Sequence, residues 1–427
     1  MDFTLINKLL DNHKYGDIIN HIYKHIDSLI KLLKQYDNPP TYAKVKLFEQ
    51  IKTFDGVEHT PVTIIIIKRL LNYFTKNATK IKLDGDKELS YKNNSKFYVN
   101  IANNNVKLKL MLLQILLFHY EAQYIYKNNK KQHYYIGIDY EFNNQKAALC
   151  QICLFTQSKQ NYAWLFNPNG LTNKQNKILV KYLFTSSYIY KIFHGSESLD
   201  MPYVLNELLQ KHKLHTVKFI RKMIDTRFIC EYQKITTDKK DKKCSLYDAL
   251  LFVNTINKQK YDSLAEIANN VNYRHTWNVN NINKYKNYLV YAYYDVLYLK
   301  HFLFDLMKYS ENNIGIILDI TRFVYLEKSK IYNILDDIKI INEQHNNMRI
   351  NDKSLIDIYK DKINDITVNH IKLSDLLNID YFKSTLIVLF KYAIYMSLTK
   401  KDITELFNTL KDIKMNKLAQ LLISIYD

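Results

Sequence analysis

Apolar residues recur at helical spacing through most of the first 127 positions. Ile18, Ile19, Ile22, Ile26, Ile30 and Leu33 form one stripe, and Leu110, Leu113, Leu117 and Tyr120 form another, so this stretch is predicted to be mainly helical. Asn38-Pro39-Pro40-Thr41 breaks the helices apart. Asp84-Gly85-Asp86 and Asn93-Asn94 mark an excursion into loop or hairpin, and the polar residues 128–133 read as a linker. Beyond the linker the period changes. Residues 134–142, 147–155 and 162–166 read as three successive strands, with Asn143-Asn144 and Asn167-Pro168-Asn169-Gly170 supplying the turns. A helix over 174–184, a strand over 189–193 and a helix over 201–211 follow. Strands that first hairpin and then alternate with helices predict an α/β domain on a mixed sheet. Residues 245–307 are predominantly helical, and the pattern after Ser310-Glu311-Asn312-Asn313 is helical again.

Composition narrows the partners. The chain has 427 residues, with 61 Lys and Arg against 42 Asp and Glu, a formal net charge of +19. Such an excess calls for an anionic partner, and nucleic acid or an anionic membrane surface both satisfy it. The heavy use of Lys, Asn, Ile and Tyr also fits an AT-rich genome, which raises Lys whatever the function. The apolar runs at 62–67 and 110–118 are far below the roughly 20 residues that span a bilayer, and Lys68-Arg69 and Gln114 interrupt them. Met1-Asp2-Phe3-Thr4 lacks a basic-then-apolar leader, and four cysteines are few for a disulfide-stapled chain. The expectation is a soluble intracellular protein, cytoplasmic or nuclear, with no membrane association.

Three short segments carry chemistry. In Ile136-Gly137-Ile138-Asp139-Tyr140-Glu141-Phe142 the two acids are two apart, so strand geometry points both carboxylates to one face. Paired carboxylates repel unless a cation neutralises them, and oxygen ligands suit Mg²⁺ or Mn²⁺. An exposed strand face would show the same spacing. In His194-Gly195-Ser196-Glu197-Ser198-Leu199-Asp200 a strand gives way to a helix, where Asp200 serves either as a ligand or as a helix N-cap. Glu197 is a second acid in that loop. In Tyr291-Ala292-Tyr293-Tyr294-Asp295 the outer two share a helix face. Tyr294 and Tyr298 form the neighbouring stripe, and aromatic stripes usually mean core. Of the remaining groups, Cys150, Cys153, Cys230 and Cys244 read as core thiols before they read as a zinc site. The basic loop at residues 239–243 is a solvated loop or a phosphate contact.

Asp-x-Glu on a strand, Asp after His-Gly and Tyr-x-x-x-Asp on a late helix, in this order, resemble the DEDD 3′→5′ exonucleases. Ribonuclease D and the proofreading exonuclease domains are the nearest relatives by motif. The resemblance spans about 134–306, with echoes in Asp225-Thr226-Arg227, Ser263-Leu264-Ala265-Glu266 and Trp277. Tyr291, four before Asp295, implies the tyrosine subclass; the histidine subclass would need His where Val290 stands. Two features depart from the pattern. Asp200 is six residues after His194 where relatives have five, and residues 278–282 replace the Arg-Pro that usually follows the tryptophan.

The resemblance implies a ribonuclease H-like exonuclease domain at 134–309, flanked by helical regions at 1–127 and 315–427. It implies two Mg²⁺ or Mn²⁺ ions about 4 Å apart, held by Asp139, Glu141, Asp200 and Asp295, with Asp139 bridging. Tyr291 would orient the attacking water, and mononucleotides would leave the 3′ end of single-stranded nucleic acid, RNA before DNA. The alternative is a catalytically silent exonuclease fold that binds nucleic acid or acts as a scaffold. All four acids and the tyrosine standing together count against it. The helical flanks are expected to extend the substrate path, recruit a protein partner or complete the core.

Overall fold

The stripe from Ile18 to Leu33 is carried by two helices, because the chain bends at His25. After α1 (Phe3–Asp11), α2 (Tyr15–Lys24) and α3 (Ile26–Gln35) share that stripe, burying Ile18, Ile19, Ile22, Ile26, Leu29 and Leu33. The structure, a computed structural model, describes residues 2–35, 59–76, 78–83, 96–130, 132–156, 160–236, 244–272 and 276–309. The Pro39-Pro40 break, the turn residues at 84–86 and 93–94, the basic loop at 239–243 and the helical region at 315–427 lie outside the described residues. The chain divides into two compact units, Met1–Phe193 with Leu250–Phe302 and His194–Ala249 with Leu303–Asp427.

The first unit is built around one buried helix and one sheet. α4 (His59–Phe74) precedes the strands β1 (Thr79–Lys82) and β2 (Lys96–Ala102). Next comes α5 (Asn105–Asn128), started by the Asn104 side chain, which accepts from the Lys107 N–H at 2.9 Å. Every α5 residue from 110 to 118 is buried, so this helix is apolar all round where it passes through the core. Gln114 fits there because its Oε1 accepts from the Trp164 indole N–H at 2.6 Å. Without that bond its amide would lie buried and unpaired, at a cost of about 1–3 kcal/mol.

β3 (Tyr134–Asn143), β4 (Lys146–Phe155) and β5 (Gln160–Phe166) follow as the expected antiparallel meander. Asn144 and Gln145, both with left-handed backbone (φ 48° and 66°), close the tight β3–β4 turn. α6 (Asn173–Leu179), held by a Thr172–Gln175 capping box, leads through a wider helical turn to β6 (Ile189–Phe193). Six strands of this unit are ordered β1-β2-β5-β4-β3-β6, with β2/β5 and β3/β6 parallel and the rest antiparallel. An antiparallel meander whose first strand is joined by a parallel one is the ribonuclease H-like pattern. The residues before 127 are therefore not purely helical. Their hairpin extends the sheet beyond β5, with Lys96 paired to Gln160 and Ala102 to Phe166.

The second unit holds α7 (Asp200–Tyr203), α8 (Lys213–Ile220), the short β7 (Met223–Asp225) and α9 (Thr226–Thr236). The helix expected over 201–211 stops early, since Gln210 and Lys211 both turn left-handed (φ 53° and 52°). One cysteine expectation is corrected. Cys230 and Cys244 are joined as a disulfide, whereas Cys150 and Cys153 on β4 are buried free thiols. α10 (Leu246–Phe252) leads back into the first unit, which adds α11 (Lys258–Asn269) and α12 (Lys286–Leu297) before α13 (Leu299–Tyr309). α12 lies across β3, β4 and β5. Among the described residues, no helix is long and apolar enough to cross a membrane.

Candidate metal centre

Period-2 geometry puts Gly137, Asp139 and Glu141 on one face of β3, and α12 crosses that face. Gly137 is what lets the two backbones meet. A Cβ there would stand 2.6 Å from the Val296 carbonyl oxygen and 3.2 Å from the Leu299 side chain. Any larger residue would force α12 away. Val296 is the neighbour of Asp295, so this approach also delivers the helix acid to the strand acids. One oxygen from each of Asp139, Glu141 and Asp295 lies within 4.8 Å of the others, and all three are partly buried. Three hard oxygen donors converging at that separation fit a Mg²⁺- or Mn²⁺-type cation and suit neither a soft metal nor a thiolate site.

The electrostatics support that fit. Burial pushes the Asp139 carboxyl up to about 7, against a backbone hydrogen bond at Tyr140 that lowers it. A carboxyl held this high at neutral pH lacks counter-charge, which a divalent cation supplies. Glu141 is steadied from the neighbouring strand. Gln151, fully buried and paired in register with Asp139, donates from Nε2 to Glu141 Oε1 at 3.2 Å. The β3–β4 register shifts between Glu141 and Phe142, which re-aims the strand end just past the acids.

Tyr291 stands one turn before Asp295, as its spacing requires, with its ring 6.3 Å from that of Trp277. Trp277 is clamped to β3 on both backbone groups. Its N–H donates to Asn143 Oδ1 and its carbonyl accepts from Asn143 Nδ2, each at 2.8 Å. The strand that carries two acids therefore also sets the loop leading into the helix that carries the third.

Asp200 belongs to the second unit. It is buried and is the first residue inside α7; the cap is Leu199, with no side-chain cap bond, so Asp200 is not the N-cap. Glu197 is partly buried in the preceding loop. His194 is a structural histidine: Nδ1 lies 3.0 Å from Thr226 Oγ1 and Nε2 2.8 Å from the Cys244 carbonyl. The carbonyl requires Nε2 to donate, so Nδ1 accepts, and burial lowers the ring to about 4 and keeps it neutral. Asp225 fastens this loop. It accepts from the N–H groups of Gly195 (2.9 Å), Ser196 (3.0 Å) and Arg227 (3.0 Å), and from Ser196 Oγ (2.8 Å).

The motifs alone missed three supporting residues, Gly137, Asn143 and Gln151, while Asp225 stood among the echoes without its role in the loop. Two left a trace. A glycine between Ile136 and Ile138 is out of place in a strand unless another backbone comes close. A glutamine in the otherwise apolar Leu149-Cys150-Gln151-Ile152-Cys153 needs a polar partner.

No family model matches the chain. It is 30% identical over 329 residues to an uncharacterized protein, L533, of Acanthamoeba polyphaga mimivirus, a match covering 70% of this chain and 63% of that protein. The chain thus spans less than two thirds of that relative's length. Among solved structures, the Aedes aegypti Nibbler EXO domain aligns with a TM-score of 0.32 and 11% identity, over 56% of this chain and 98% of that one.

Proposed function

We propose that the chain is a metal-dependent 3′→5′ exonuclease of the DEDD type, acting on single-stranded nucleic acid, with RNA favoured over DNA. The observation that carries the reading is the convergence of Asp139, Glu141 and Asp295 from a strand and a distant helix to within 4.8 Å. In this reading these three would hold the metal, with Asp200 as the fourth acid that the motif order implies. The bound Mg²⁺ or Mn²⁺ would supply an activated water and neutralise charge on the phosphate and the departing 3′ oxygen. The protein's own part is positional. Asp295 and Tyr291 share a helix face, so the phenol hydroxyl would orient water beside the carboxylates. The +19 charge supports an anionic polymer as substrate.

The test uses the full chain and 5′-labelled single-stranded RNA and DNA with Mg²⁺, Mn²⁺ or a chelator. A 3′-shortening ladder is expected only with metal. Asp295→Asn should abolish it, and Tyr291→Phe should slow turnover about a hundredfold while keeping the metal-dependent thermal shift. A ladder that persists in Asp295→Asn or under chelation ends the proposal. Binding without shortening, with no thermal shift from metal, returns the chain to a silent nucleic-acid-binding module.

A further inference from the structure

The segment between Asn272 and α12 builds a second recognition feature beside the acids. Thr276, Trp277, Asn278, Asn281, Ile282, Tyr285 and Tyr288 line a pocket of about 240 Å³, room for one nucleobase with its sugar. Three of its lining residues are aromatic, and their rings run toward Tyr291, one helical turn before Asp295. The Trp277 ring lies 6.3 Å from Tyr291 and 5.4 Å from Tyr288, and Tyr288 lies 5.9 Å from Tyr285. Tyr285 ends this run 44% exposed to solvent, accessible to a ligand. The run is rigid at its inner end, where Asn143 fixes Trp277 and the Tyr288 hydroxyl accepts from the Asn272 N–H at 3.0 Å.

The polar lining indicates what the pocket takes. Among the described residues its lining is neutral: Thr276, Asn278 and Asn281 are its polar side chains beside the tyrosine hydroxyls. Asn278 uses its Oδ1 on the Asn280 N–H (2.9 Å), and no bond to its Nδ2, to the Asn281 amide or to the Thr276 hydroxyl occurs among the described residues. The Asn281 amide thus offers a donor and an acceptor side by side and Asn278 adds a donor, groups that match a base edge. Exposed Lys284 and Lys286 flank Tyr285 outside the pocket, where a strand's phosphates would run.

The geometry points to a nucleobase-stacking subsite at Trp277, Tyr285 and Tyr288, with Asn278 and Asn281 reading the base edge, which holds an unpaired base of the strand near the acid cluster. This rests on the exonuclease reading for its place in the reaction, though base binding itself does not. It also accounts for residues 278–282 in place of Arg-Pro: a neutral, amide-bearing turn leaves the pocket open to a base.

The test is equilibrium binding of the full chain with Mg²⁺ to single-stranded octamers, ribo and deoxyribo in parallel, made uncleavable by 3′-terminal phosphorothioates. Each is compared with the same backbone bearing abasic sites in its 3′ half. Wild type is expected to prefer the base-bearing octamer by about tenfold or more. Tyr285→Ala should remove most of that preference, Tyr285→Phe should keep it, and Asn281→Ala should flatten differences among bases. Mn²⁺-induced thermal shifts are read on every variant. Equal affinity of wild type for base-bearing and abasic octamers overturns the subsite, and if the metal shift and the 3′ ladder persist, the exonuclease reading stands without it. Base preference lost in Tyr285→Ala supports the subsite even if no hydrolysis occurs. A preference untouched in both Tyr285→Ala and Asn281→Ala overturns it.

Discussion

Asp225 and Asp139 are both carboxylates withdrawn from water, one in each compact unit, and their surroundings treat them in opposite ways. Asp225 accepts four hydrogen bonds, from Gly195 and Ser196 in the loop and Arg227 at a helix start, so both of its oxygens are spoken for. It holds a loop in place. Asp139 is partly buried with one compensating backbone bond and two further acids beside it, and its carboxyl is pushed up to about 7. Burial that is compensated within the chain makes scaffolding, while burial left uncompensated beside two further acids makes a cluster suited to a cation. The contrast also explains why the exposed ion pairs in the described residues, such as Lys258–Asp262 at 2.7 Å, carry little weight.

The sharpest way to break this comparison is to neutralise each carboxylate in turn. Asp139→Asn is expected to cut metal-dependent hydrolysis by about a thousandfold, since metal stabilisation of several kcal/mol is lost. It should leave metal-free stability at pH 8 unchanged or raised. Asp225→Asn should do the reverse, costing about 2–4 kcal/mol in denaturant unfolding because an amide NH₂ meets backbone donors, while the Mn²⁺-induced shift survives. If both variants lose stability and only stability, the distinction fails.

Gly137→Ala comes next. An added methyl cannot coexist with the Val296 carbonyl at 2.6 Å, so α12 must move. A loss of about 1–3 kcal/mol is expected, together with the metal shift. A variant that binds Mn²⁺ as wild type does would show that α12 is not held by this contact.

A smaller effect is expected for Gln151→Leu, which removes the donor to Glu141 and nothing that touches the cation. Mn²⁺ affinity should fall about tenfold, read by titrating the thermal shift. The same substitution leaves no amide buried in β4, so stability should hold or rise. Unchanged affinity would reduce Gln151 to a packing residue.

The last test follows pH. The folded Asp139 pKa of about 7 lies above its ordinary 3.8, so the folded state holds a proton that the unfolded state has released. The metal-free protein should therefore gain stability from this group as pH falls through 7, levelling off below about 4. Metal competes with that proton. The Mn²⁺-induced rise in Tm should be larger at pH 8 than at pH 5.5, and Asp139→Asn should flatten the difference. A metal shift independent of pH in wild type would mean that Asp139 is not a ligand.

Local periodicities made part of this molecule legible. The meander over β3, β4 and β5, the shared face of Asp139 and Glu141 and the pairing of Tyr291 with Asp295 all follow from repeats of two residues or of one helical turn; the first turn, expected at Asn143-Asn144, sits one residue later at Asn144-Gln145. Such repeats are properties of neighbouring residues, and a chain carries them before it folds. The apolar stripe of α2 and α3 was visible for the same reason, although the bend at His25 was not.

Long-range contacts decided the rest. Nothing in the spacing of residues 79–102 says that they join the sheet at β5, because strand pairing depends on which edge is left open once the meander has formed. The 230–244 disulfide required two cysteines to meet in space. The convergence of Asp295 with Asp139 and Glu141 rests on Gly137, a residue without a side chain, whose importance appears only when another backbone lies against it. The sequence by itself determined which acids share a face. Tertiary structure decided which faces meet, because close approach is a property of two surfaces packed together and neither one encodes it alone.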